Sequence, residues 1–318
     1  MGIKSQLTVA CVLLAKQSKA KPFKIDIVQK SKKSTSLGPH MKKAFATACM
    51  SFLGAVLMPV FMAQTTFAAE PEAKLTGNVS LVSDYRFRGF TQTNYSPAVQ
   101  GGFDWEHRSG LYLGNWNSSV AQNLYNGASV EMDFYAGFKG VVPGLLGAIG
   151  DIGAIYYLYP KSGVDSISYD YANKAISNTE VYVGLTNGPL SLKVNYATSD
   201  YFRYAYIAGA PLSTRGTTYM DLSFSKEYAG LIWGAHVGVL NLKNFNQGKF
   251  FMASDAGSPG LVQTVNDYRL SLGHDFGDNS VVSASYYGTS KKAYFQTDLT
   301  GLHSAGKPGL VLGFTKGF

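Results

Sequence analysis

From Lys74 to Gln92 the chain reads K-L-T-G-N-V-S-L-V-S-D-Y-R-F-R-G-F-T-Q, and its odd and even positions differ in chemistry. Leu75, Gly77, Val79, Leu81, Ser83, Tyr85, Phe87 and Gly89 share one parity; Thr76, Asn78, Ser80, Val82, Asp84, Arg86 and Arg88 share the other. Strand side chains alternate between faces, so one face is small and apolar while the other is polar and charged. The pattern lasts about fifteen residues, against five or six for an ordinary soluble strand. A tilted strand needs about nine to eleven to cross a bilayer's hydrocarbon. Taken alone, the stretch also suits a soluble sandwich with Arg86 and Arg88 on its wet face. Recurrence of the pattern is what favours a membrane.

Pro97–His107 sets Val99, Gly101, Phe103 and Trp105 against Gln100, Gly102, Asp104 and Glu106. Ser129–Lys139 sets Val130, Met132, Phe134, Ala136 and Phe138 against Glu131, Asp133, Tyr135 and Lys139. Thr179, Val181, Val183 and Leu185 oppose Glu180 and Tyr182, and Leu190, Leu192, Val194 and Tyr196 oppose Lys193 and Asn195. Met220, Leu222 and Phe224 alternate with Asp221, Ser223 and Ser225; Leu231 to Val239 alternates with Gly234, His236 and Gly238. Tyr268, Leu270 and Leu272 oppose Asp267, Arg269, Ser271 and Asp275. Asp151–Pro160, Val281–Thr289 and Leu310–Phe318 are strand-like as well. Gly110–Ser118 is a strand whose two registers are both mixed, which leaves its facing open. The glycines of Gly140–Gly150 lack the G-x-G-x-x-G spacing of a dinucleotide loop and predict a flexible turn.

These segments make twelve strands. Glu106–Gly110, Lys226–Gly230 and Phe276–Ser280 are short connections. So is Asn187-Gly188, a hairpin signal expected to place both central residues at positive φ. The connections between these are mostly long, an asymmetry typical of bacterial outer-membrane barrels. Spanning with strands requires closure, because an open edge leaves backbone groups unpaired in lipid. The expected fold is therefore all-β: a transmembrane antiparallel up-and-down barrel of about twelve strands over residues 69–318.

Charge sorts the N-terminal region from this body. The whole chain has 28 basic and 20 acidic residues and a pI near 9.2. Residues 1–43 hold ten lysines and one acid, Asp26, leaving 18 basic against 19 acidic residues in the remainder. A near-neutral body has no basic footprint for nucleic acid. Met41-Lys42-Lys43, the apolar run to Met62 and Thr66-Phe67-Ala68 read as a secretory signal peptide over 41–68 with cleavage near Ala68. Residues 1–40 read as an upstream extension, consistent with a start at Met41 or, alternatively, with a long n-region of the signal peptide. Both cysteines, Cys11 and Cys49, precede the cleavage site, so the exported part has no disulfide and no cysteine-held metal. Neither a metal nor a cofactor is expected.

Leu310, Leu312, Phe314 and the terminal Phe318 alternate, and a C-terminal aromatic of this kind resembles the signal read by the barrel-assembly machinery. Lys316 departs from that pattern. Several blocks are similar to the TorF family of porins, proteobacterial exported proteins: Val82–Gly89, Gly110–Val120, Glu131–Phe138, Asn178–Tyr182 and Gly313–Phe318. The resemblance implies an outer-membrane barrel acting as a channel and supplies no catalytic residues.

The histidines after residue 69 are His107, His236, His274 and His303; none lies in a nucleophile motif and G-x-S-x-G is absent. No enzyme activity is expected. The better candidates are the charges of the polar register: Asp84, Arg86, Arg88, Asp104, Glu106, Glu131, Asp133, Glu180, Lys193, Asp221, Asp267 and Arg269. In a barrel they line the lumen, where rings of charge select solutes. Arg86 and Arg88 are expected inside, with Tyr85 and Phe87 toward lipid. The same charges are alternatively a set that pairs across strands and fills the interior. The expected function is a passive channel for small hydrophilic solutes in the bacterial outer membrane, in contact with its lipids. The alternatives are an outer-membrane lipid hydrolase, which His236→Ala would disable, and a non-conducting structural or adhesive barrel.

Overall fold

In a computed structural model, the structure describes residues 72–125, 127–163, 176–203, 206–207, 210–211, 213–243, 263–291 and 304–318. The extension 1–40, the signal peptide 41–68 and His303 lie outside the described residues. In chain order the strands are β1 (Ala73–Val82), β2 (Arg86–Phe87), β3 (Phe90–Thr91), β4 (Ala98–His107), β5 (Leu111–Ser119), β6 (Val130–Val141), β7 (Ile149–Leu158) and β8 (Ser177–Asn187). They continue with β9 (Leu190–Ala197), β10 (Tyr206–Ile207), β11 (Ala210–Pro211), β12 (Thr218–Tyr228), β13 (Leu231–Leu242), β14 (Gln263–Asp275), β15 (Ser280–Thr289) and β16 (Gly309–Gly317).

Twelve of these close into one antiparallel barrel in the order β1-β16-β15-β14-β13-β12-β9-β8-β7-β6-β5-β4. β1 pairs with both β4 and β16, so no barrel strand is left with an open edge. Leu75, Val79, Leu81, Val99, Phe103, Phe134, Ile152, Val183, Leu222, Leu270, Leu312 and their parity mates are exposed on the outside. Ser80, Gln100, Glu131, Asp151, Glu180, Asn195 and Asp267 are buried inside. The polar-in, apolar-out alternation runs round the closed sheet, and an apolar belt of that extent is a surface water does not favour.

The two ends differ. Short turns link β4 to β5, β6 to β7, β8 to β9, β12 to β13 and β14 to β15, all at the end that also holds the start of β1 and Phe318. Longer connections occupy the other, loop end. Asn187 pairs with Leu190, so the central residues of that turn are Gly188 and Pro189 rather than Asn187 and Gly188. Of these Gly188 alone has positive φ, 57°, because proline fixes φ near −65°. Lys316 does sit in the outward register, at the turn-end rim. Its ammonium reaches Asp278 Oδ2 at 3.0 Å and Ser280 Oγ at 3.2 Å, a snorkelling geometry that keeps the charge out of the belt. The hydrogen bond from Lys316 lowers the Asp278 carboxyl below its ordinary range.

Two further expectations are corrected. β1 stops at Val82, so Lys74–Gln92 is not one long strand. Residues 83–96 instead turn into the barrel, with β2 and β3 forming a small hairpin. Tyr85 and Phe87 do not face lipid: Tyr85 is buried and Phe87 packs against the interior cluster. The facing of β5 is also settled. Tyr112 and Ser118 are buried inside and Trp116 packs there, which leaves Leu111, Leu113, Asn115 and Asn117 on the outer face.

Candidate functional site: a hairpin held inside a charged barrel

The inward turn begins where Ser83 bonds β16, its N–H to the Leu312 carbonyl at 2.8 Å. Asp84 then organises the segment, accepting from Thr91 Oγ1 at 2.5 Å, from Thr93 Oγ1 at 3.1 Å and from Arg86 Nε. Phe87 pairs with Phe90, so Arg88 and Gly89 form a two-residue turn with φ of 48° and 85°. Both central residues at positive φ match the twist of the flanking strands.

This turn carries the Arg88 guanidinium across to β8. Its Nη1 and Nη2 donate to Glu180 Oε1 at 3.0 Å and Oε2 at 2.7 Å, and Nη1 also donates to Tyr201 Oη at 2.8 Å. Glu180 is fixed in turn by Asn178 at 2.9 Å and Asn195 at 2.8 Å. The Arg88 carbon Cζ lies 4.3 Å from the centre of the Tyr219 ring. A two-pronged guanidinium–carboxylate contact is directional as well as strong. At the tip, a Cβ on Gly89 would lie 2.7 Å from Asp267 Cβ and 3.1 Å from Thr289 Cβ. The tip therefore abuts β14 and β15 while Arg88 grips β8. The hairpin crosses the lumen.

Aromatic edges complete the packing. Tyr85 meets Trp116 with ring centres 5.4 Å apart, and Phe87 meets Tyr157 at 5.8 Å and Phe202 at 5.9 Å. Arg86 donates to the Lys307 carbonyl at 2.9 Å. Beside the hairpin, Glu131 accepts from Tyr159 at 2.8 Å. Glu131 Oε2 and Asp133 Oδ1 accept no bond among the described residues.

Toward the turn end the strand residues themselves form the wall. Tyr135 donates to Asp104 at 2.5 Å, and Lys139 donates to Glu106 at 3.2 Å while lying 4.5 Å from the Tyr112 ring centre. Tyr112 donates to Asp151 at 2.6 Å and also bonds Tyr182, whose ring centre is 3.6 Å from Lys193 Nζ. On the β12–β14 wall, His236 lies between two acids, Nδ1 3.0 Å from Asp221 and Nε2 2.8 Å from Asp267. Ser223 donates to Asp221 at 2.6 Å and stands 3.3 Å from His236 Nδ1. Each ring nitrogen of His236 therefore faces a carboxylate, and Ser223 shares the Nδ1 side with Asp221.

Nine of the twelve charged candidates take the inner register of barrel strands; Asp84, Arg86 and Arg88 instead lie on the inserted hairpin. Asp84, Arg86, Arg88 and Glu180 belong to the hairpin and its latch; Glu131 and Asp133 stand beside it. Asp221, Asp267 and Arg269 surround His236, while Asp104, Glu106 and Lys193 line the wall. Reading the sequence missed Tyr201, Tyr219, Asn178 and Asn195, which hold the latch. The signal that was present is Arg88-Gly89 itself, a glycine where a long strand has no use for one.

The model of one family matches residues 67–318. The chain belongs to the Gcw_chp family, described as bacterial proteins of unknown function. No curated protein matches. Among solved structures, OpdL from Pseudomonas aeruginosa is 10% identical, with 77% of this chain and 67% of that chain covered and a TM-score of 0.33. The outer membrane phospholipase A from Escherichia coli is 10% identical, with 76% and 91% covered and a TM-score of 0.36. The outer membrane protein OprD from Pseudomonas aeruginosa is 7% identical, with 70% and 59% covered and a TM-score of 0.33. None of these likenesses bears on what this Gcw_chp chain does.

Proposed function

We propose that this chain is an outer-membrane channel for small hydrophilic solutes or ions, closed in the conformation described here by the hairpin of residues 83–96. The apolar belt supports the membrane location, since closed strands with all backbone groups paired are one of the two ways to cross lipid. The observation that carries the channel reading is the charged wall between the hairpin and the turn end. There Glu106 and Lys139 keep partial exposure, with side chains 44% and 16% accessible. A barrel serving as a scaffold alone has no need of exposed charge inside itself. The resemblance to the TorF porins points the same way, and Phe318 is suited to be read by the assembly machinery.

The lipid-hydrolase reading is disfavoured by placement: Ser223 and His236 face the interior and not the lipid. The channel reading takes no part of the fold as an enzyme. The experiment is conductance in planar bilayers. The wild-type chain is expected to give brief, infrequent steps, and a variant with Asp84–Tyr95 replaced by a short Gly-Ser link is expected to give sustained ones. Heat-modifiable gel migration confirms that both are closed barrels. Folded barrels that never conduct, with or without the hairpin, overturn the reading. Recovery of the mature chain as a soluble periplasmic protein overturns the location.

A further inference from the structure

Beside the inserted hairpin the interior holds more buried acid than its own cations match. Asp84 pairs with Arg86, and Glu180 with Arg88. Glu131 and Asp133 stand two apart on β6, share its inner face and are 1% and 5% exposed. Neither meets a cation of the chain among the described residues. Tyr159 donates to Glu131 Oε1 at 2.8 Å, but Glu131 Oε2 and Asp133 Oδ1 accept nothing there.

A third unpartnered oxygen lies in the same layer. Gln100 on β4 is in register with Ser118 on β5, and Ser118 with Glu131. Neighbouring strands are about 4.8 Å apart, so the Gln100 and Glu131 backbones are roughly 10 Å apart, a gap two long inward side chains span. Gln100 is 2% exposed, and its amide turns toward that strand, Nε2 donating to Ser118 Oγ at 3.1 Å. Its Oε1 has no partner among the described residues. Tyr85 of the hairpin packs on Trp116, the residue in register with Asp133, so the hairpin abuts the same stretch of wall.

All three unmatched atoms are oxygens that accept, and two carry charge. A buried charge is kept where it is paired or where it holds a cation. No three His, Cys, Asp or Glu side chains come together to hold a metal among the described residues, which leaves no zinc-like donor set. Carboxylates and an amide carbonyl are instead the hard oxygen donors that calcium takes in flexible geometry. Its two positive charges equal the two unpaired carboxylates.

We propose that Glu131, Asp133 and Gln100 hold a calcium ion inside the barrel, next to Tyr85 of the hairpin. No sequence motif marks the site, because its donors come from two strands that β5 separates. The ion stabilises the folded barrel by mass action, since the unfolded chain does not assemble these donors. The site stands whether or not the barrel conducts.

The test uses the full chain folded in detergent, stripped with a chelator and then titrated with calcium. The expected result is a rise in the temperature at which the folded gel band is lost, saturating with calcium concentration. Terbium, a luminescent ion of similar size and chemistry, is expected to light up when the aromatic side chains are excited and to be displaced by calcium. Glu131→Gln and Asp133→Asn keep side-chain shape and are expected to remain heat-modifiable while losing both responses. Gln100→Leu, which removes only the neutral donor, is expected to weaken terbium binding. Asp278→Asn, at the outer rim, is expected to keep both responses. A wild type that calcium does not stabilise, or one that acid stabilises and calcium does not, overturns the site, the latter because the two carboxyls then share a proton. Responses unchanged in the Glu131, Asp133 and Gln100 variants that fold, or lost equally in Asp278→Asn, also overturn it.

Discussion

At the loop end of the interior, Tyr85 is 2% exposed and Glu180 1%, whereas at the turn end the Glu106 side chain is 44% exposed. The wall chemistry is alike in both places: carboxylates, tyrosines and a few cations on alternate strand positions. What differs is that residues 83–96 fill one end and nothing equivalent among the described residues fills the other. The filled end is therefore the work of the inserted segment and of the residues packed on it, Tyr201 and Phe202 among them, and not of the barrel wall, and the segment is held by groups that are costly to leave unpaired.

The contrast breaks most sharply at Glu180. Removing one partner of a buried ion pair costs about 3–5 kcal/mol, since the other charge stays buried without compensation. Glu180→Ala is expected to release the hairpin and to make the peptide bond after Arg88 open to trypsin, while the wild type resists; the turn end is unaffected. Resistance equal to the wild type would show that Arg88 is not the latch. Gly89→Val acts at the tip, where φ of 85° suits glycine and a Cβ meets Asp267 at 2.7 Å. A strained backbone position costs about 1–3 kcal/mol, and faster hydrogen exchange confined to residues 83–96 is the expected readout.

A smaller effect is expected at Tyr85. Edge-on ring pairs contribute about 0.5–1.5 kcal/mol beyond their buried area. Tyr85→Ala is thus expected to shift Trp116 emission toward the red without unfolding the barrel. The smallest effect on stability belongs to the turn end. Lys139 and Glu106 form a partly exposed pair worth about 0–1 kcal/mol, so Lys139→Ala is expected to leave the denaturation midpoint nearly unchanged. It removes a cation beside Asp104 and Glu106, and the reversal potential of open channels is expected to move toward cation preference.

The barrel was legible because a period of two, once one face is apolar, fixes register for every strand that obeys it. Strand number, the alternation of short and long connections and the inward facing of the charges all follow from that period. The hairpin was not legible because it obeys the same period. Tyr85 and Phe87 continue the parity of Leu81, so the alternation ran on where the backbone had turned. Only Gly89 marked the turn, and the partners of Arg88 lie 92 residues away at Glu180 and 113 away at Tyr201. Local pattern has no access to such pairings. β5 resisted assignment for the opposite reason: Asn115 and Asn117 put amides in the register that elsewhere is apolar.

The central claim is that displacement of the hairpin opens the channel. Glu180→Ala removes the two-pronged partner of Arg88 and so frees the hairpin without adding a side chain to it. Single-channel recording in planar bilayers is expected to show brief, infrequent steps for the wild type and sustained conductance for Glu180→Ala. Heat-modifiable Glu180→Ala barrels that trypsin cuts after Arg88 and that conduct no more than the wild type would contradict it.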